Sequence, residues 1–409
     1  MLAGAARRAR RFFALAAALT LAAPGCDNFL DGPPYPDGPP RAQKPATAAP
    51  SSAAAAPSTS AAGTASTPTT AATAAGTARS AAWDGTPRRV ALDDHAMGTT
   101  VSIATYTTPT LDEAAIRPRL RKALDEIRRL QALMTTWSET SEISRINAAA
   151  GKEAIAVGPE TFAVIEKSLW AGKVSEGVFD ITFEAMKGLW KFDEGADDNI
   201  PPRDAVEKAR KLIDYRQITV NPKARTVKLE KPGMRMNLGG IAKGYAIDAA
   251  ARVLVSEGIT SFFAQAGGDL YIAGKKPDGT RFKVGIRDPR GTGPSDYFAL
   301  IEVEDHAFST AGDYERTFVK DGKRYHHIID PRTGFPAGAS RSVTVWAKDA
   351  LTADAIDDAI FILGPEKGLA LVESIDDAGC VIVDSSNKVW ISKRLEGKVR
   401  VLRQPRDGI

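Results

Sequence analysis

Cysteine is scarce in this sequence, whose 409 residues include only Cys26 and Cys380. Two cysteines so far apart do not form a disulfide framework or a thiolate metal site. Cys380 lies in the apolar stretch GCVIVD, which is typical of a strand covered on both faces. We therefore expect Cys380 to be a buried strand residue without a disulfide partner.

An excess of one charge is also absent. Lysine and arginine number 54, aspartate and glutamate number 50, and the net charge is +4. Part of that small excess comes from arginines at the N-terminus, so the rest of the chain is close to neutral. A nucleic-acid partner would need a concentrated basic surface, and we predict none.

The first 26 residues have the composition of an export signal. Four arginines precede the apolar run FFALAAALTLAA, and the small residues APGC follow it. A run of this length is short for a membrane span. The ending resembles a lipobox, in which Cys26 is acylated, although Pro24 departs from that pattern. A plain signal peptide and a twin-arginine signal remain alternatives.

Residues 27–88 consist almost wholly of alanine, threonine, serine, proline and glycine. Such a segment cannot bury enough apolar surface to offset its chain entropy, so we predict a disordered tether. A lipid at Cys26 followed by a tether predicts an exported protein anchored on the periplasmic side of the inner membrane. The folded domain is expected over residues 89–409.

Within residues 89–409 the hydrophobic periodicity predicts an α+β domain. A strand at TTVSIATY precedes a long helix, and three shorter helices and a hairpin follow. Next comes the helix IAKGYAIDAAARVLVSEG, then seven strands, a helix from Thr352 to Leu363 and a closing hairpin. Helices and strands come in separate blocks, which favours α+β over a parallel α/β sheet.

Three acidic residues recur along one predicted helix. Asp354 and Asp358 are four positions apart, and Asp357 lies beside them. Like charges at this spacing repel each other, whereas oxygen ligands on one helical face suit Mg²⁺ or Ca²⁺. Acids near a helix N-terminus that face water are the alternative.

Two glycine turns are candidates for close contact with a ligand. The stretch NLGGIAKGYAID, from Asn237 to Asp248, passes through paired glycines into a helix, whose free N–H groups attract phosphate. In AQAGGDLYIAG, Gly267 and Gly268 precede Asp269 between two strands. Each turn alone is equally compatible with an ordinary structural connection.

Two of the four histidines are adjacent in YHHIIDPRTGFP. Strand alternation puts Tyr325, His327 and Ile329 on one face and His326 with Ile328 on the other. The turn residues that follow create a polar corner where a site could form. Together with the acids and the glycine turns, this pattern favours an Mg²⁺-dependent enzyme acting on a nucleotide, over a strand with two satisfied histidines.

Taken together, eight stretches resemble the ApbE family of flavin transferases across residues 93 to 392. They occur in the family's order, and they are MGTTVSI, TWSETSEISRIN, GVFDIT, NLGGIAKGYAID, AGGDLYIAG, FSTAGDYER, HIIDPRTGFP and DALTADAIDDAIFILG. The resemblance implies one large ApbE-like, T-fold-like domain. It also implies an enzyme that splits FAD and attaches FMN to a threonine or serine of an acceptor protein of the Nqr or Rnf type, releasing AMP.

The resemblance further implies which residues form the site. His327 matches the catalytic position, and we expect its pKa to lie near neutrality so that it can take the acceptor's proton. Mg²⁺ would be held by the Gly240 carbonyl with Asp354, Asp357 and Asp358, the last replacing a family threonine. The implied FAD site comprises Met97, Trp137, Phe179, Asp180, Ile181, Asn237, Lys243, Gly267, Gly268, Asp269 and Ile328.

Two other functions stay open from the sequence. A magnesium-dependent FAD pyrophosphatase would need the same groups, with water as the acceptor. A lipoprotein that stores FAD without chemistry would need neither His327 nor the acidic cluster, which disfavours it.

Overall fold

The computed structural model describes residues 83–192, 198–293 and 295–409. The predicted signal peptide, the acylated Cys26 and most of the predicted tether lie outside the described residues. The first strand begins at Arg89, where the folded domain was expected to start. No helix in the described ranges is both long and apolar enough to cross a membrane.

Six α-helices are present in the described ranges. They are α1 Glu113–Met134, α2 Glu142–Ala148, α3 Pro159–Val174, α4 Arg203–Arg210, α5 Ala242–Ser256 and α6 Ala350–Glu373. Short 3₁₀ helices occur at Ile181–Met186, Tyr215–Gln217 and Lys393–Leu395. The longest, α6, has a kink at Gly364, whose φ of 75° is not helical.

The strands run in chain order from β1 to β18. They are β1 Arg89–Ala96, β2 Thr99–Tyr106, β3 Ile155–Ala156, β4 Ile218–Asn221, β5 Thr226–Leu229, β6 Phe262–Ala266, β7 Asp269–Ala273, β8 Phe282–Arg287, β9 Tyr297–Val303, β10 His306–Gly312, β11 Thr317–Lys320, β12 Lys323–His326, β13 Ile329–Asp330, β14 Phe335–Pro336, β15 Ser340–Ala347, β16 Ala378–Asp384, β17 Val389–Ile391 and β18 Val399–Val401.

One antiparallel sheet of eight strands forms the centre of the domain, in the order β1-β2-β6-β7-β10-β15-β16-β17. Helices α1, α5 and α6 cover one face. The three-stranded sheet β18-β9-β8 covers the other face. An antiparallel sheet with helices on one side is an α+β architecture, so the predicted fold class is confirmed.

Each face of the central sheet packs its own core because successive strand residues point to opposite sides. In β6, Phe262 joins the helix-side core and Phe263 the core beneath the small sheet. In β16, Cys380 faces the helices and Val381 the small sheet. Cys380 is fully buried, so its prediction as a buried strand residue is confirmed.

Some element boundaries differ from expectation. The helix predicted to end at Leu363 resumes after the kink and continues to Glu373, because Pro365 tolerates the first turn of a new helical segment. Strands β1 and β10 were not predicted. The strand expected through His327 to Ile329 ends at His326 and restarts at Ile329 as β13.

Candidate active site

The centre of the candidate site is an ion-pair cluster between α5, β7 and α6. Lys243 Nζ lies 3.0 Å from Asp269 Oδ2 and 3.1 Å from Asp354 Oδ1. Asp269 and Asp354 are almost completely buried, whereas Lys243 is partly accessible. The motifs that the sequence analysis singled out separately are therefore joined by direct contacts.

Close packing of α5 against the start of α6 makes this cluster possible. A Cβ atom on Gly244 would collide with the Ala350 carbonyl, and the Asp354 side chain is almost as close. With no side chain in the way, the Gly244 N–H donates a 2.8 Å hydrogen bond to Asp354 Oδ2. Both oxygens of Asp354 are thus fixed by α5.

Ser309 of β10 connects two of the acids, and sequence reasoning missed it. Its hydroxyl lies 2.7 Å from Asp269 Oδ1 and 2.6 Å from Asp357 Oδ2. A serine hydroxyl carries one hydrogen, so it donates to one carboxylate at a time. The FSTAG stretch gave no signal for this role, because serine is also common in ordinary strands and turns.

Several buried acids share the single ammonium group of Lys243, and this shortage of positive charge raises their pKa values. Burial, followed by repulsion from Asp354, raises the pKa of Asp269 to about 7. Burial and then Asp358 and Asp354 raise the pKa of Asp357 well above its ordinary value. Burial alone would lower the pKa of Lys243, but Asp269, Asp354 and Asp357 together raise it. The cluster therefore carries an excess of potential negative charge.

The first glycine turn lies directly beside the acids. A Cβ atom on Gly240 would come within 3.3 Å of Asp358 Oδ2 and 3.5 Å of the Phe179 ring. Burial raises the pKa of Asp358 to about 6. The structure thus brings together Gly240, Asp358 and Phe179, which were expected in two different subsites.

In the described ranges, no three acidic, histidine or cysteine side chains are grouped as a ready metal site. The ammonium of Lys243 lies between two of the carboxylates instead. The residues nonetheless fit a hard divalent cation, since their donors are all oxygens and several buried acids face a single cation.

The second glycine turn joins β6 to β7 at the sheet end. Gly267 has a φ of 58°, and a Cβ on it would lie 2.8 Å from Thr99 Oγ1. On Gly268 a Cβ would lie 2.7 Å from the Thr310 carbonyl. The turn therefore needs glycine to let β2 and β10 approach, and its chief role here is to place Asp269.

A polar chain links the first glycine turn to an exposed tryptophan. Asn237 Oδ1 accepts a 2.7 Å hydrogen bond from the Gly239 N–H, and Asn237 Nδ2 donates to Glu184 Oε2 at 2.9 Å. Lys187 Nζ lies 2.9 Å from Glu184 Oε1 and 4.9 Å from the centre of the Trp137 ring. Glu184 was not predicted.

Trp137 is far more exposed to solvent than a tryptophan side chain usually is. It is 84% exposed, although large aromatic side chains are normally mostly buried. With the Lys187 ammonium as its neighbour at 4.9 Å, the ring leaves most of its surface open to a planar ligand.

The two adjacent histidines face opposite directions, as strand alternation predicted. His326 is buried, and its Nε2 lies 2.8 Å from the Ala337 carbonyl. His327 is accessible to solvent. Desolvation by the surrounding protein lowers the pKa of His327 below 6.5, and the positive charges of Arg316 and of His326 lower it further. The expectation of a pKa near neutrality is therefore wrong for the protein without a ligand.

Three of the residues predicted for the FAD site have side chains that are buried in the protein core. Ile181 and Ile328 are 2% and 3% exposed, so only their main-chain atoms can reach a ligand. Asp180 accepts hydrogen bonds from Thr182 and from the Tyr215 N–H. These bonds engage both Asp180 oxygens, so the carboxylate ties Thr182 to Tyr215, and Oδ2, which accepts one bond here, has capacity for another.

Met97 lies at the tight turn between β1 and β2. Its φ is 55°, an uncommon value for a residue with a side chain. The Met97 N–H donates a 2.5 Å hydrogen bond to Gln131 Oε1 on α1. The neighbouring Gly98 lies beside the Arg316 guanidinium, which places this turn close to the His327 corner.

The model of the ApbE family matches residues 97–382. The chain belongs to the ApbE family. An ApbE relative, the FAD:protein FMN transferase of Treponema pallidum, is 32% identical over 305 residues, covering 71% of this chain and 83% of the relative. The resemblance inferred from the eight motifs is confirmed.

Solved ApbE structures share the fold. The ApbE protein of Thermotoga maritima has a TM-score of 0.68 at 32% identity, covering 78% of this chain and 100% of that one. The flavin transferase ApbE of Vibrio cholerae has a TM-score of 0.67 at 28% identity, covering 76% of this chain and 100% of that one. The described ApbE domain is thus matched over its main body.

Proposed function

We propose that this protein is an FAD:protein FMN transferase, which cleaves FAD, attaches FMN to a hydroxyl of an acceptor protein and releases AMP. The observation that carries the proposal is the cluster of Lys243 with Asp269 and Asp354, together with an accessible His327 on which the Lys243 charge acts. Phosphoryl transfer depends on positioning and charge stabilisation around the phosphates. Membership of the ApbE family and the name of the Treponema pallidum relative support the same activity.

Magnesium is the cation that suits the acidic residues. The carboxylates of Asp354, Asp357 and Asp358 and the Gly240 carbonyl would hold it, since all are oxygen donors. When bound, Mg²⁺ neutralises charge on the FAD pyrophosphate. Lys243 adds a positive charge that both Asp269 and Asp354 hold in place.

His327 acts as the general base in this proposal. Because its pKa lies below 6.5, the ring is neutral at pH 7 and has a lone pair that can accept the acceptor's hydroxyl proton. The positive charges of Arg316 and Lys243, which contribute to this lowered pKa, also favour an anionic substrate near the ring.

The flavin end of FAD would lie toward Trp137. Its exposed ring offers a stacking surface, and Asn237 is linked to it through Glu184 and Lys187. The acid cluster would then take the pyrophosphate, so one extended substrate spans both groups of residues.

Localisation and acceptors extend the proposal beyond the domain. The basic and apolar N-terminus ending in Cys26, followed by a Pro- and Ala-rich segment, supports an exported protein lipid-anchored on the periplasmic side of the inner membrane. The acceptors in this proposal are subunits of the Nqr or Rnf type that carry a modifiable threonine or serine.

The test is to incubate the purified full-length chain with FAD, Mg²⁺ and an acceptor domain, and then to weigh the acceptor by intact mass spectrometry. We expect a gain of one FMN phosphoester, which is lost with EDTA and in His327→Ala. His306→Asn is the matched control, because His306 stacks on Trp346 at the other face of the sheet. Free FMN and AMP beside an unmodified acceptor would indicate a pyrophosphatase, and intact FAD would contradict the proposal.

A further inference from the structure

Asp248, the last residue of the stretch NLGGIAKGYAID, is a buried carboxylate on α5. Its hydrogen bonds reach the start of α6. The Ala350 N–H donates to Oδ1 and the Leu351 N–H donates to Oδ2, both at 2.9 Å. One side chain of α5 thus accepts two hydrogen bonds from the main chain of another helix, across 102 and 103 positions.

Two aspartates share the capping of α6. The first N–H groups of an α-helix have no acceptor within the helix. Asp349, the N-cap residue, accepts the Thr352 N–H through its side chain at 2.7 Å. Asp248 accepts the two preceding N–H groups, those of Ala350 and Leu351. The Asp349 bond therefore stays within α6, whereas the Asp248 bonds tie the first turn of α6 to α5.

A second contact joins the same two helices one turn further along α6. There the Gly244 N–H donates to Asp354 Oδ2 at 2.8 Å. Gly244 precedes Asp248 by four residues, and Asp354 follows Ala350 by four, so the two contacts are about one helical turn, or about 5.4 Å, apart. Contacts at two heights restrain α6 both from sliding along α5 and from tilting away from it.

The proposed cation ligands are divided between these two helices. Gly240 lies in the turn that leads into α5, whereas Asp354, Asp357 and Asp358 belong to α6. The gap between the two groups is narrow, since a Cβ atom on Gly240 would come within 3.3 Å of Asp358 Oδ2. A shift of α6 relative to α5 would therefore change the distances between the Gly240 carbonyl and the carboxylates.

We propose that Asp248 is a positioning residue that sets the spacing of the cation ligands and thereby favours Mg²⁺ over Ca²⁺. Mg²⁺ requires near-octahedral oxygen ligands at about 2.1 Å, whereas Ca²⁺ accepts a flexible set of oxygens at about 2.3 to 2.6 Å. A site whose two halves are held firmly suits the smaller and stricter ion. The inference rests on the proposed function for the presence of a divalent cation.

A positioning role differs from a purely electrostatic or structural role in its effect on the two ions. Mg²⁺ and Ca²⁺ carry the same charge, so the loss of a distant negative charge should weaken the binding of both by the same factor. A general loss of helix stability also does not distinguish the ions. The ratio of the two dissociation constants therefore isolates the effect of ligand spacing.

The experiment is calorimetric titration of the full-length chain with MgCl₂ and with CaCl₂ at pH 8, without FAD. Burial raises the pKa of Asp248 to about 6, so at this pH both carboxylate oxygens accept hydrogen bonds. In Asp248→Asn, the side-chain NH₂ replaces one acceptor and cannot accept from an N–H group. We expect the Kd for Mg²⁺ to rise about tenfold or more and the Kd for Ca²⁺ about threefold at most.

Asp349→Asn is the matched control, because it removes the same charge from the same helix end while its lost bond lies within α6. It should leave the ratio of the two Kd values unchanged. Asp248→Glu is the second variant, since it keeps the charge and both oxygens. Its longer side chain displaces α6 from α5, so Mg²⁺ binding should again weaken more than Ca²⁺ binding. Circular dichroism melting checks that each variant is folded.

The outcomes separate this inference from the proposed function. An unchanged Kd ratio in the folded Asp248 variants, or an equal change of the ratio in Asp349→Asn, would overturn the positioning role and leave the proposed transferase intact. Failure of the unaltered chain to bind either ion would overturn the cation site itself, and the positioning role with it.

Discussion

Lys243 and Asp354 form an ion pair of 3.1 Å although 111 positions separate them in the chain. The pair joins the glycine turn before α5 to the acidic face of α6, and Asp269 contacts the same ammonium group. Removing one partner of such a buried pair leaves the other charge unpaired, which costs more than the pair itself contributes.

Lys243→Met should therefore lower the free energy of unfolding by about 3 kcal/mol, because Asp269 and Asp354 lose their shared cation. Urea denaturation measures this change. Lys122→Met is the matched control, since Lys122 forms a surface pair with Glu257 at 2.8 Å and exposed pairs contribute little. Equal effects of the two substitutions would show that the Lys243 pair does not stabilise the fold.

Glu184→Gln tests the polar chain between Asn237 and Trp137. The new amide can still accept a hydrogen bond from Asn237, but it no longer attracts Lys187 by charge. Lys187 and the neighbouring Trp137 ring should then be held less firmly. We expect the KM for FAD to rise about threefold to tenfold with little change in kcat. Glu207→Gln, at an exposed pair with Arg210, is the control. A fall in kcat at constant KM would refute a positioning role.

Asp358→Thr tests the position at which the resemblance to the family implies that an acid replaces a threonine. Losing one carboxylate should raise the Mg²⁺ concentration needed for half-maximal transfer by about tenfold, since ligand charge tunes cation affinity. At saturating Mg²⁺ the rate should recover. Magnesium titration of the transfer rate measures both values, with the exposed Asp376→Thr as control. An unchanged half-maximal concentration would exclude Asp358 as a ligand.

The fall of kcat/KM at acidic pH, called the acid limb of the pH profile, measures the pKa of His327 in this proposal. A general base works in its neutral form, and a pKa lowered below 6.5 means that His327 stays neutral to more acidic pH. The value of kcat/KM for FAD should therefore not fall until the pH is below about 6. In Arg316→Gln the limb should move to higher pH, because the Arg316 charge lowers the His327 pKa. An acid limb at or above pH 6.5 in the unaltered chain would show that the surroundings of His327 do not lower its pKa.

Local sequence patterns were enough to predict much of the fold and several features of the candidate site. Alternation alone separated His326 from His327, and helical spacing placed Asp354, Asp357 and Asp358 on one helix. The strand β10 was missed because its sequence HAFSTAG is rich in small residues, whose strand signal is weak. The end of α6 was misplaced because Gly364 and Pro365 together read as a stop signal.

The contacts that sequence reasoning could not supply are those between distant segments. Ser309 bridges Asp269 and Asp357 across 40 and 48 positions, and Glu184 reaches Asn237 across 53. No local periodicity encodes such pairs. The bonds of Asp180 to Thr182 and to Tyr215 were likewise not foreseen, and its predicted contact with a ligand stays a prediction.

The strand order of the central sheet has a consequence for how the protein matures. Its neighbours β7, β10 and β15 come from residues 269 to 347, and the acids of α6 follow only after the last of them. A chain still emerging from the ribosome therefore lacks the acids of α6 until most of the domain has been synthesised. Contacts this far apart in sequence also form slowly, so the candidate active site is completed late in folding.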